Sequence, residues 1–119
     1  MTRSLVAAGA INGGIAVAAG AFAAHGLKDR LEPRAFEVFE TAARYQMYHA
    51  LAMLLCGVLV LDAAKTCGWL FQAGIVLFSG SLYALSLSGM RAFGAIAPFG
   101  GLAFLVAWLV LALAALRGL

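Results

Sequence analysis

The sequence predicts an all-α integral membrane protein, an up-down bundle of four helices. Three observations carry that prediction. Hydrophobic residues make up 65% of the chain and charged residues 11%, against roughly 45–50% and about 25% in soluble domains. A chain of 119 residues has the length of one domain, and a soluble domain that small exposes too much surface for so few charges to cover. The charges also cluster. They leave residues 4–27, 45–61, 66–90 and 92–116 uncharged, with histidine neutral. Each stretch falls in the roughly 17–25 residues of a spanning helix, and a charge at the bilayer centre costs at least ~2.5 kcal/mol.

The first span is expected over residues 4–24. Its rival is a cleaved signal peptide, since Arg3 supplies a basic start and Ala21-Phe22-Ala23 an A-x-A site; a true span is the expectation here. Lipid offers no hydrophobic drive between helices, so small residues that let backbones approach matter most. Gly9, Gly13, Ala16, Gly20 and Ala24 recur every three or four residues and predict one smooth packing face.

The second span, residues 45–61, continues an interfacial helix that starts at Pro33, a residue suited to a first turn. Phe36, Phe39 and Ala43 fall on one side of this extension, and Glu37, Glu40 and Arg44 on another. Glu40 and Arg44 are a favourably oriented i,i+4 pair. A helix from 33 to 61 would be about 43 Å long at about 1.5 Å per residue, longer than the ~30 Å hydrocarbon core.

The third span is expected over 69–87, after a turn at Asp62–Gly68, and the fourth over 98–116, after a loop at Ser88–Ala97. Short connections make consecutive helices antiparallel neighbours. Gln72, Ser79, Tyr83 and Ser86 share a face of the third span. They and Asn12 predict interhelical hydrogen bonds, with a solute path as the alternative.

Polar chemistry gathers at one end. His25, Glu37, Glu40, Arg44, Tyr45, Tyr48 and His49 form the candidate cluster. His25 closes the first span and His49 opens the second, so the two are expected at similar depth. Facing histidines could ligate haem or relay a proton; anchoring by hydrogen bonds to backbone and headgroups is the plainer expectation. No metal or cofactor is expected. Cys56 and Cys67 lack zinc spacing, and Cys56, in an apolar run, is expected to behave as a small hydrophobe without a disulfide or redox role. The formal net charge of +3 comes from scattered residues without a basic run, which argues for juxtamembrane cations and against nucleic-acid binding. Lys28, Arg30, Arg34, Arg44 and Arg91 at one end outnumber Arg3, Lys65 and Arg117 at the other, which orients the first and third loops to the cytoplasm and both termini outside.

Four stretches now become legible together. They are residues 20–27 (GAFAAHGL), 44–52 (RYQMYHALA), 77–83 (LFSGSLY) and 94–102 (GAIAPFGGL). In this order the chain resembles the domain-of-unknown-function family 423, small bacterial inner-membrane proteins with a eukaryotic transmembrane relative. Ala23 stands where that family often has glycine, and Ala97 where it often has threonine. The resemblance implies a four-span membrane protein and supplies no activity or catalytic residue.

Three functions from different classes follow. One is a non-catalytic accessory or assembly component, because no nucleophile, base and orienter can be read together. Another is a small transporter or channel, which with four spans would need a homo-oligomer. The last is a haem or redox protein built on His25 and His49. The lipid bilayer, a homo-oligomer or a larger membrane complex are the expected partners.

Overall fold

The computed structural model is an all-α bundle and describes residues 1–118. Helix α1 runs Arg3–Leu27, α2 Pro33–Val58, α3 Asp62–Ser88 and α4 Arg91–Arg117. The molecule is 48 Å long and 26 by 18 Å across, enough for a ~30 Å hydrocarbon core with both ends in the headgroup layers. Helices α1, α3 and α4 are long and apolar enough to cross a membrane. Helix α2 carries the charged extension at its start and runs antiparallel to α1 along its length, from the Thr2 N–H bond to the Gly57 carbonyl (2.7 Å) to the contact of Phe22 with Phe39. Helices α2 and α3 hold the middle positions, with α1 packed chiefly on α2 and α4 chiefly on α3.

Three boundaries differ from expectation. Helix α2 ends at Val58, and Leu59–Leu61 alone connect it to α3. The expected turn at Asp62–Gly68 is the first part of α3. Asp62 sits at the positive end of the helix dipole, and Ala64, Cys67 and Gly68 turn inward while Asp62 and Lys65 stay exposed. Helix α4 begins at Arg91 and contains Pro98 in its interior. Proline is tolerated inside a membrane helix because neighbouring groups re-satisfy the freed backbone. Charge marks where hydrocarbon stops; it does not mark where backbone hydrogen bonding stops.

Two π-helical turns interrupt the helices, Ala23–Leu27 at the end of α1 and Ile75–Ser79 in the middle of α3. The predicted small-residue face is only partly used. Leu5, Gly9, Asn12, Ala16, Ala23 and Leu27 are buried, a spacing that keeps them on one stripe, and Ala24 falls off that stripe and is exposed. Of the glycines on that face, Gly9 alone is in tight contact: a Cβ there would lie 3.0 Å from the Ala50 carbonyl oxygen. At Gly13 a Cβ would meet only the Met47 sulfur at 4.0 Å, and at Gly20 nothing within 4 Å.

The tightest approach lies elsewhere. At Gly100 in α4 a Cβ would overlap the backbone nitrogen of Phe78 in α3 and lie 2.7 Å from its Cα. Around this crossing, one core gathers Leu5, Met53, Cys56, Cys67, Phe71 and Phe104. Both cysteines are free and buried within it. A second, smaller core of Ala23, Leu27 and Phe39 closes the opposite end.

Candidate functional site

Two arrangements bring polar and aromatic side chains together inside the bundle. The first joins α1, α2 and α3. Asn12 is its hub. The Asn12 Nδ2 group donates to Gln72 Oε1 at 2.8 Å and to the Ala8 carbonyl at 2.9 Å, while Asn12 Oδ1 accepts from Gln46 Nε2 at 3.1 Å. Tyr83 donates its hydroxyl to Gln46 Oε1 at 2.8 Å. Nearer the end of α3, Ser86 donates to the Ala35 carbonyl at 2.6 Å. Apart from Ser79, the polar line predicted on the third span therefore pairs with α1 and α2. Ser79 breaks the pattern: its hydroxyl is wholly buried and has no partner among the described residues.

The second arrangement centres on His49 in α2. Its Nδ1–H donates to the Tyr45 carbonyl at 2.7 Å. A carbonyl can only accept, so this bond requires the proton on Nδ1. The lone pair on Nε2 accepts from the Trp108 indole N–H at 3.1 Å. The imidazole lies flat on Phe104, with centroids 3.5 Å apart and planes 4° apart, and it also meets Phe71. These contacts fix one neutral tautomer and one orientation. Tyr45 packs on Phe78 and Tyr48. Tyr45, Tyr48, Phe78, Pro98, Phe104 and Trp108 line a groove of ≈750 Å³ with His49 in its wall.

The predicted cluster does not assemble. Helical periodicity divides it, since Glu37, Glu40 and Arg44 fall on one face of α2 with Tyr48 at its edge, while Tyr45 and His49 turn toward Phe78 and Phe104. Tyr45, Tyr48 and His49 meet in the groove. Glu37, Glu40 and Arg44 are exposed; Thr41 donates to the Glu37 carbonyl, and Glu40 and Arg44 rim a shallow cleft beside Ala16 and Gly20.

His25 is exposed at the far end of α1. The expectation that it faces His49 is corrected. The pairing of Gly9 with Ala50 and of Asn12 with Gln46 places His49 opposite about residue 10 of α1, so His25 lies about 23 Å further along at about 1.5 Å per residue. No single ligand can be shared by the two histidines at that separation. The error has a physical source: depth was counted from the charge boundary at residue 45, whereas the α1–α2 connection ends at the helix start, Pro33, well before His49. No group of three or more His, Cys, Asp or Glu side chains able to hold a metal occurs among the described residues.

Sequence reasoning missed Gln46, Phe78, Phe104 and Trp108 as members of these arrangements. Gln46 stands between Tyr45 and Tyr48 and is the one uncharged amide in the uncharged part of α2, a usable signal. The aromatic partners carry no such mark, because their role depends on which way α4 is rotated.

Comparison with known proteins agrees with this architecture. Residues 19–101 match the family model described as a protein of unknown function, DUF423. A UPF0382 membrane protein of Staphylococcus epidermidis is 46% identical over 112 residues, covering 92% of each chain. The UPF0382 membrane protein YwdK of Bacillus subtilis is 44% identical over 114 residues, covering 92% of this chain and 93% of the relative. One from Staphylococcus saprophyticus is 47% identical over 106 residues, covering 87% and 88%. No solved structure matches significantly.

Proposed function

The chain belongs to the DUF423 family of membrane proteins of unknown activity, and from that premise we propose that it is a non-catalytic component of a larger membrane assembly. The observation supporting this reading is the state of His49. It is the histidine inside the bundle, and both its ring nitrogens are engaged by protein groups. A general base needs a free lone pair within reach of a substrate proton, and a metal ligand needs one aimed at the ion. Here the ring acts as a strut that joins α2 to α4.

The outward surface suits the same reading. Ile11, Ile15 and Val17 on α1 and Leu102, Leu105 and Leu109 on α4 are exposed, faces fit for lipid or for neighbouring helices. The excess of Lys and Arg at the end holding the α1–α2 and α3–α4 connections supports those loops facing the cytoplasm, with both termini on the opposite side.

The test is native-level expression followed by extraction in mild detergent. The chain is expected to migrate with a partner of fixed stoichiometry, well above the size of its 12.3 kDa protomer. Migration as a lone monomer out of native membranes overturns the reading.

A further inference from the structure

We propose that the cleft between α1, α2 and α3 is a binding site for a neutral, carbonyl-bearing molecule that enters from the hydrocarbon phase. The cleft holds ≈290 Å³ and is floored by Asn12, Gln46, Gln72, Ser79 and Tyr83, with Ile15 and Val76 at its mouth. It lies near the middle of α1, so it opens toward lipid tails and not toward water. This site is independent of whether the chain serves a larger assembly.

Three observations set the chemistry of the occupant. No charged side chain lines the cleft. An ion there would sit in low dielectric without a countercharge, at a cost of several kcal/mol, so the ligand is neutral. The floor groups left without any partner among the described residues, Gln72 Nε2 and Ser79 Oγ, can each donate. Gln46 Nε2 has two hydrogens and gives one to Asn12; the Gln72 Nε2 group donates to nothing among the described residues, while its oxygen already accepts from Asn12; and the Ser79 hydroxyl is buried without a partner. Each of the Asn12, Gln46 and Gln72 side-chain oxygens already accepts a bond. Donors left wholly without a partner are met by an acceptor on the ligand.

The third observation is Ser79 itself. A buried hydroxyl in a membrane helix ordinarily bonds back to a carbonyl one turn earlier. Ser79 ends the π-turn Ile75–Ser79, and π-turns often stand at functional sites because they re-aim a side chain without ending the helix. Leaving that hydroxyl unpaired is costly unless something else takes its hydrogen. A carbonyl oxygen on an apolar ring or chain meets these requirements: it accepts from the Gln72 amide and, on rotation of the Ser79 side chain into the cleft it lines, from that hydroxyl, while its apolar body fits against Ile15 and Val76.

The experiment titrates protein in nanodiscs with menadione, a lipid-soluble dione, and with 2-methylnaphthalene, which has the fused rings without the carbonyls. Side-chain amide NMR signals of Gln46 and Gln72 report occupancy. Saturable shifts with the dione and none with the hydrocarbon are expected. Ser79→Ala should weaken the dione by about three- to tenfold, the equivalent of one lost hydrogen bond, while the variant unfolds no more readily than the parent, because it also removes an unpaired buried hydroxyl. Equal shifts with both probes, no saturation, or unchanged affinity in Ser79→Ala overturns the proposal. So does a long-lived water signal at Ser79 with no dione shift, which would mark a cleft that holds water only.

Discussion

The Trp108 indole N–H donates to His49 Nε2 at 3.1 Å, and this one bond ties α4 to α2 across the aromatic groove. It agrees with the tautomer that the Tyr45 carbonyl requires, because the nitrogen that accepts cannot carry the proton. Replacing Trp108 by Phe keeps a ring in the groove and removes the donor. Leaving Nε2 without its partner costs about 1–3 kcal/mol, and nitrogen NMR should show a single Nδ1–H tautomer in the parent protein, kept in the variant by the Tyr45 carbonyl while the Nε2 signal shifts. A mixture in the parent would refute the assignment.

The crossing of α3 and α4 is governed by Gly100. A methyl group there would meet Phe78 backbone, which has no rotamer to yield. Gly100→Ala should therefore destabilise by about 1–3 kcal/mol, the usual cost of overpacking. Gly20→Ala has nothing to strike within 4 Å and should change stability by no more than about 0.5 kcal/mol. Denaturation of the two variants in detergent checks the contrast, and equal effects would refute it.

Asn12 bonds to Gln72 and Gln46 from one amide. A double-mutant cycle of Asn12→Ala and Gln72→Ala should give a coupling energy of about 0.6 kcal/mol, with about 1.7 kcal/mol as an upper value for membrane interiors. Zero coupling would mean that the two side chains do not meet in the folded protein.

Topology can be read by single cysteines in a background lacking Cys56 and Cys67. With both termini outside, a membrane-impermeant thiol reagent applied to intact cells should label Thr2→Cys and leave Asp29→Cys unlabelled until the membrane is broken. The reverse pattern would invert the orientation.

Parts of this site were legible in the sequence. Gln72, Tyr83, Ser86 and Asn12 could be recognised as hydrogen-bonding residues because a polar side chain in a membrane helix must find a partner or bear a large cost. Cys56 could be read as a core hydrophobe from its apolar neighbours; Cys67, in an expected turn beside Lys65 and Thr66, could not. The similar depth expected of His25 and His49 misled, since it was counted from the charge boundary at residue 45 and not from the helix start at Pro33. Ser79 was legible as a polar residue but not as an unpaired one; the π-turn that aims it has no counterpart in α-helical periodicity.

Composition and charge spacing were enough to determine that hydrocarbon is the solvent for this chain and that helices satisfy its backbone there, because an unpaired peptide group in lipid is too costly for any open structure. Tertiary structure alone decided which polar groups meet. That depends on the rotation of each helix about its axis and on the register between helices. Both are set jointly by side chains from separate segments, as where Phe78 accepts Gly100 and Phe104 receives His49, and one-dimensional periodicity carries no record of them.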